Sequence, residues 1–133
     1  MANVVVIGSG IAGLIAAVDA SAKHHVTLIT KADLAESNTH YAQGGISAVT
    51  STDDSIAEHV EDTMSAGAGL SWRPAVEVLC AEGPGSIADL VAWGVDFDRS
   101  GTEFARGLEA AHSHPRVLHA GGDATGAGIS DAL

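Results

Sequence analysis

Val4-Val5-Val6-Ile7-Gly8-Ser9-Gly10-Ile11-Ala12-Gly13-Leu14 runs an apolar strand straight into three glycines and then into a helix. Each glycine has a physical task. Gly8 lets the backbone turn sharply out of the strand. Gly10 has no Cβ, so a pyrophosphate can reach the main chain. Gly13 lets the following helix lie close to the sheet. The free N–H groups and the positive end of that helix then hold phosphate. The context fits: a β-branched run stands before the glycines, and Ile11, Leu14, Ile15 and Val18 give the next segment an apolar side. Without a ligand, three glycines at this spacing only weaken the strand and the helix. The stretch therefore reads as a dinucleotide-binding turn.

Working outward, the pattern predicts a strand over 3–7, a helix over 11–22 and a second strand over 25–30, where Val26, Leu28 and Ile29 are apolar. Such a unit requires a parallel sheet with a right-handed crossover. A polar stretch without periodicity follows over 31–45, and loops of that length are uncommon unless they bind something. A short strand is expected over 46–49. Ser55 with Glu58 reads as a capping box for a helix carrying Ile56, Val60 and Met64 on one face, stopped by Gly67 and Gly69. Pro74 opens another helix with Ala75, Val78 and Leu79 inward. Gly83-Pro84-Gly85 is expected to break it, and Ser86 to cap a further segment (Ile87, Leu90, Val91) ended by Gly94. A strand is expected over 95–97, irregular chain over 99–114, a strand over 117–119, a glycine-rich turn over 121–126 and the start of a helix at Leu133. The fold class is α/β: a dinucleotide-binding, Rossmann-like parallel sheet with flanking helices, incomplete in this chain. A doubly wound sheet needs more strands than these. The expectation is that residues 1–133 are the N-terminal part of a longer nucleotide-binding domain, with the later strands outside them.

With 133 residues, the chain can hold one domain and a real core. A net charge of −11 argues against nucleic-acid or anionic-membrane partners, which need basic patches. No segment approaches the apolar length of a membrane span. The N-terminal apolar run is too short for a signal sequence and lacks a basic start. The single cysteine, Cys80, permits no internal disulfide, suits a reducing, cytoplasmic compartment, and reads as a buried thiol. Lys31, Arg106 and Arg116 look like isolated charges. Glu58, Glu61 and Asp62 read as the solvated side of a helix, and Trp72 and Trp93 as packing residues near helix ends. Three of the seven histidines, His112, His114 and His119, cluster, but no cysteine accompanies them; no metal site is expected, and substrate-pocket or capping roles are expected instead.

The acidic residue expected about 20 residues past the fingerprint is missing. Lys31 stands near its place, which points to a 2′-phosphate and NADP, while Asp33 and Glu36 lie close by. The first motif alone does not choose among NAD, NADP and FAD. The second cluster does: Ser37-Asn38-Thr39-His40-Tyr41-Ala42-Gln43-Gly44-Gly45-Ile46-Ser47-Ala48. A planar flavin needs close backbone approach from glycines, and Asn38, Thr39 and Gln43 offer donors and acceptors for its ring edge and ribityl chain. This stretch resembles the second flavin-contacting segment of the fumarate reductase/succinate dehydrogenase flavoprotein superfamily. The resemblance continues at His59-Val60-Glu61-Asp62-Thr63, at Ala66-Gly67-Ala68-Gly69, at Glu109-Ala110-Ala111-His112-Ser113-His114-Pro115-Arg116-Val117-Leu118-His119-Ala120 and at Asp123-Ala124-Thr125-Gly126. The stretch from His112-Ser113-His114 to His119-Ala120 favours its L-aspartate oxidase branch.

That resemblance implies flavin-binding positions at Gly8, Ser9, Gly10, Ile11, Ala12, Gly13, Lys31, Asn38, Thr39, His40, Tyr41, Ala42, Gln43, Gly44 and Gly45. It implies that Glu109 orients the substrate. Asn38 takes the place of the histidine that carries flavin covalently in the respiratory enzymes, so non-covalent FAD is implied. The implied activity is oxidation of L-aspartate to iminoaspartate with oxygen or fumarate as acceptor, the first step of de novo NAD biosynthesis, with quinolinate synthase as a partner. The resemblance makes the fold an FAD-binding Rossmann-like parallel sheet and residues 1–133 the N-terminal part of an FAD-binding domain. The later strands, a capping domain and the superfamily's arginine base lie outside them, so no turnover is expected from these residues alone. The chain departs from the family pattern at Ala110-Ala111, where glycines are commoner, and at Gly121-Gly122. Three rival readings stand beside this one: another FAD-dependent enzyme of the superfamily, an NADP-dependent oxidoreductase, and a non-catalytic truncated nucleotide-binding module.

Overall fold

β-Branched residues and alternating exposure form the two opening strands, β1 (Asn3–Ile7) and β2 (His25–Ile29), which pair in parallel with Val4 opposite Val26 and Val6 opposite Leu28. The computed structural model describes residues 1–109 and 111–133; the departure at Ala110 lies outside the described residues. Helix α1 (Ile11–Ser21) makes the crossover and buries Leu14. Gly8 sits at φ +110°, and a Cβ on Gly13 would overlap the Gly8 carbonyl oxygen. The turn and the close helix–strand approach read from the sequence are therefore both present.

Beyond this unit, β3 (Ile46–Ser47) pairs antiparallel with β7 (Val117–Leu118), and β7 pairs on its other edge with β6 (Arg106–Gly107). β4 (Arg99–Ser100) and β5 (Glu103–Phe104) form a small hairpin. The region expected to be irregular over 99–114 thus holds three two-residue strands, too short to show periodicity. The expected strand over 95–97 is absent. Val95 and Phe97 are buried there, but as extended chain rather than in a ladder.

Helix α2 (Ile56–Ala66) starts at Ser55, whose hydroxyl accepts from the Glu58 N–H at 3.2 Å. The Ser55 N–H goes to Asp54 instead of Glu58, so the capping box is half formed. Helix α3 (Arg73–Ala92) runs without interruption through Gly83-Pro84-Gly85, where the sequence predicts a break. Pro84 cannot donate to the Cys80 carbonyl, a cost of about 3 kcal/mol. Packing at both ends offsets it. Val76 and Cys80 join Val60 of α2 in one buried cluster, while Ile87 and Leu90 join Ala48, Val95, Phe97, Leu118, Ala120 and Ile129 in the main core. Helix α4 (Thr125–Ala132) contributes Ile129 to that core. Trp93 packs against the core as expected, but Trp72 is 72% exposed.

Candidate functional site: a cleft around the first helix

Two clefts meet at the N-terminus of α1. The first, about 430 Å³, lies at the carboxyl ends of β1 and β2 and is lined by Gly8, Ser9, Thr30, Lys31, Glu36 and Ser37 among others. The second, about 320 Å³, is lined by Ile11, Asn38, Thr39, Gly44, Gly45 and Gly126 among others. Between them stands Gly10, the N-cap of α1, which offers no side-chain cap, and the first turn carries no acidic residue. Unsatisfied helical N–H groups and the dipole make this an anion site.

The polar stretch after β2 is drawn onto this helix end. The Thr39 hydroxyl accepts the Ile11 N–H at 2.9 Å. The Ser37 hydroxyl accepts the His40 N–H at 3.1 Å, and the Ser9 and Thr30 hydroxyls pair at 3.1 Å. Helix α4 clamps the stretch from the other side: Gly126 N–H donates to the Ala42 carbonyl at 3.0 Å, and a Cβ on Gly126 would overlap the Thr39 carbonyl oxygen.

Two glycines here have no steric reason within the chain. Gly10 has φ −73°, and its Cβ would meet only Thr39 Oγ1 at 3.5 Å, an ordinary contact. A Cβ on Gly44 would meet nothing within 4 Å. Both leave open a cradle that a side chain would fill, which suits close backbone approach of a phosphate and a planar ring system.

The sequence-derived residues fall unevenly around the clefts. Gly8, Ser9 and Lys31 line the first; Ile11, Asn38, Thr39, Ala42, Gly44 and Gly45 line the second; Ala12 and Gly13 form the first turn of α1. His40, Tyr41 and Gln43 line neither. Tyr41 is exposed and donates to Glu36 at 2.9 Å, a bond that raises the phenol's pKa. Glu36 thus stands in the first cleft beside Lys31, which puts an acid in the space where the end of β2 lacks one.

Glu109 is brought to the flavin-segment end. Its Oε1 lies 3.2 Å from His119 Nε2, and His119 Cε1 stands 3.0 Å from where a Gly45 Cβ would be. His119, one of the three clustered histidines for which a substrate-pocket or capping role is expected, thus links Glu109 to the second glycine pair. Thr125, Gly126 and Ile129 of α4 also line the second cleft, signalled by Asp123-Ala124-Thr125-Gly126.

The largest correction concerns charge. Arg116 is not isolated: it is fully buried, with Nε and Nη2 donating to the two Asp54 oxygens at 2.9 and 2.6 Å and Nη1 donating to Asp62 at 2.5 Å. Arg106 likewise donates to the Thr50 carbonyl at 3.2 Å. Asp62 is not on a solvated face; it also accepts from the Ser113 N–H and hydroxyl, both at 2.7 Å. Ser113 first, then Arg116, hold the Asp62 carboxyl at about 2 against the pull of burial. Burial pushes Asp54 up, but Arg116 and the Ser55 N–H outweigh it and leave that carboxyl below its ordinary value. Asp54 raises Arg116 in return. Glu61 pairs with Arg73 and Glu58 with His114, both at the surface. Burial lowers His59 and raises the Cys80 thiol, so Cys80 is the inert buried thiol expected. Among the described residues one group has metal-ligand spacing, Asp54, Glu58 and His114. Arg116 occupies both Asp54 oxygens, so this donor set is an ion-pair network and not a cation site.

A parallel βαβ unit with a glycine cradle at its helix N-terminus, closed by a second glycine pair, defines a flavoprotein nucleotide-binding domain. The chain belongs to the FAD binding domain family, whose model matches residues 3–133. It is 50% identical over 131 residues to the L-aspartate oxidase of Synechocystis sp., covering 98% of this chain and 24% of that protein. It is 47% identical over 135 residues to the L-aspartate oxidase of Streptomyces coelicolor, covering 99% and 23%. The chloroplastic L-aspartate oxidase of Oryza sativa is 47% identical over 132 residues, covering 97% and 20%. Among solved structures, Mycobacterium smegmatis Sdh1 superposes with a TM-score of 0.89 at 33% identity, covering 99% of this chain and 23% of that one. A quinol-fumarate reductase gives 0.86 at 27%, covering 99% and 24%. The chain therefore spans between a fifth and a quarter of the length of these curated relatives. FAD is the cofactor of this domain, in keeping with the cradle at Gly10 and Gly44. No helix among the described residues is long and apolar enough to cross a membrane.

Proposed function

We propose that the polypeptide carrying this chain oxidises L-aspartate to iminoaspartate, and that residues 1–133 supply the N-terminal part of its FAD-binding domain. One observation carries the reading: Glu109 pairs with His119, whose ring packs against Gly45 of the second glycine pair, and this brings a carboxylate toward the segment read as the flavin-ring site. The 47–50% identity to L-aspartate oxidases supports the choice of substrate.

Bound FAD supplies a two-electron acceptor. The α1 N-terminus and the open faces of Gly10 and Gly44 hold its pyrophosphate and approach its ring; Gly8, Ser9, Ala12, Gly13 and Lys31 serve the nucleotide half, and Ile11 and 38–45 the flavin half. Asn38 has no nucleophilic ring nitrogen, so attachment is non-covalent. Glu109 receives the α-ammonium of L-aspartate. His119 holds one carboxylate oxygen and leaves the other to the substrate. In the oxidation, aspartate gives up two electrons and two protons; oxygen taking them yields hydrogen peroxide, and fumarate taking them yields succinate. Iminoaspartate hydrolyses readily in water, which favours a partner that consumes it directly, here quinolinate synthase in NAD biosynthesis in the cytoplasm.

Glu109→Gln in the full-length enzyme tests the reading. A carboxylate on an ammonium is worth about 1.5–3 kcal/mol. The expected result is loss of L-aspartate oxidation with fumarate reduction much less affected. Equal losses on both substrates would show that Glu109 does not read the amine.

A further inference from the structure

A cavity of about 560 Å³ adjoins the flavin cleft, with Gly45 and Ile46 lining both. Three hydroxyls line the cavity, those of Ser47, Thr63 and Ser86. Two have spent their protons: Thr63 donates to the His59 carbonyl at 2.8 Å and Ser86 to the Glu82 carbonyl at 3.2 Å. Ser47 differs, and the reason is a chain of fixed donors. Arginine can only donate and stays charged. Arg116 Nη1 lies 3.3 Å from His112 Nδ1, so Nδ1 is the accepting, unprotonated nitrogen. The ring proton then sits on Nε2, which lies 3.2 Å from Ser47 Oγ and donates to it. With Oγ accepting from His112, the Ser47 proton has no acceptor among the described residues.

Asp54 and Asp62 fix Arg116 from behind, so this polarity is set by buried ion pairs and does not depend on solvent. The result is that Ser47, next to the shared wall at Gly45 and Ile46, is the one hydroxyl of the cavity whose proton is directed and uncommitted among the described residues. The cavity's one acid, Glu82, is exposed at the rim, where water screens it.

We infer that Ser47 is a substrate-binding residue that donates a hydrogen bond to a carboxylate oxygen of the dicarboxylic acid, and that His112 and Arg116 are the positioning residues that fix the direction of that bond. The inference rests on the proposed reaction for the identity of the ligand. It assigns a second anchor: Glu109 reads the amine, and Ser47 reads a carboxylate. A carboxylate has acceptors only, so a serine whose proton is committed outward is the matching partner.

The test is Ser47→Ala in the full-length holoenzyme. Binding of succinate, a dicarboxylate that lacks the amine, is read from the perturbation of the oxidised flavin spectrum, and KM for L-aspartate is measured alongside. A hydrogen bond to a charged group predicts a Kd for succinate and a KM about tenfold higher or more, with FAD occupancy unchanged and kcat nearly so. Ser47→Thr keeps the hydroxyl and is expected to restore both. His112→Phe keeps the hydroxyl but frees its direction, so a smaller rise than in Ser47→Ala is expected. The double variant is expected to cost no more than Ser47→Ala alone, because His112 acts only through Ser47. Unchanged succinate affinity in Ser47→Ala overturns the inference, as does additivity of the two variants or a wild type that shows no response to succinate. If L-aspartate is not oxidised but succinate binding still weakens in Ser47→Ala, the proposed reaction fails and the carboxylate anchor stands.

Discussion

Arg116→Met removes the one cation that neutralises Asp54 and Asp62. The Asp54 side chain is 1% exposed, so its charge has no access to water when the guanidinium is gone. Breaking a buried pair by removing one partner costs about 3–5 kcal/mol, most of it the penalty of the stranded charge. Against a typical stability of about 5–15 kcal/mol, that is a large fraction. The sign of the pH dependence follows. In the wild type, both carboxyls sit below their ordinary value of 3.8, so their contribution is full above pH 4 and is lost as pH falls toward 2. In Arg116→Met, burial, the largest influence on Asp54, is opposed only by the Ser55 N–H and by His114, so that carboxyl rises. The folded state then resists ionisation, and acidification from neutral pH relieves the penalty. The deficit between the two proteins is therefore widest at pH 7 and narrows as pH falls. Denaturant titrations at pH 7 and pH 5 measure it. Adding Asp54→Asn to Arg116→Met is expected to recover most of the loss, because an amide needs no counter-ion. A cost below about 1 kcal/mol at pH 7 would refute the reasoning, since it would place the pair at the value of a surface bridge. A deficit that widens on acidification would refute it as well.

Gly10→Val is expected to abolish FAD binding while leaving the far-ultraviolet circular dichroism of the protein unchanged, because the position has ordinary φ and only Thr39 near it; flavin retained at wild-type occupancy would remove the phosphate from this loop. Acid precipitation of the full-length enzyme is expected to release all flavin to the supernatant, since Asn38 cannot form the histidyl bond, and a washed pellet that stays yellow would contradict this.

Local pattern carried the first unit and global packing carried the rest. The strand–glycine–helix–strand run from Asn3 to Ile29 is legible because each element announces its own period and the glycines mark the turn. The binding stretch was legible through Gly44 and Gly45, whose freedom no neighbour requires or limits in the same way: Gly45 is also pressed by Val117 and Leu118, Gly44 by nothing. The uninterrupted α3 was not legible, because what holds it through Pro84 is burial of Val76, Cys80, Ile87 and Leu90 against residues far away in sequence. Arg116 was read as isolated because its partners stand 62 and 54 positions upstream. For His119 the sequence offered a substrate-pocket or capping role but no partners: nothing in its neighbourhood along the chain says that it pairs with Glu109 and packs against Gly45. The buried run at Val95 and Phe97 has strand composition but lacks a partner to ladder with, which composition cannot reveal.

The pairing of β3 with β7 has a consequence for the order of events during synthesis. Ile46 finds its strand partner in Leu118, about seventy residues later. The Ala42 carbonyl waits longer still, for the Gly126 N–H. At translation rates of about 5–20 residues per second, the glycine segment emerges roughly 4–15 s before the chain that pins it. During that interval the βαβ unit can already close on its own local contacts. The cleft at the ends of β1 and β2 thus forms first, and the cleft lined by Gly44, Gly45 and Gly126 closes only once α4 has emerged, so the two faces of one binding region are completed at different times.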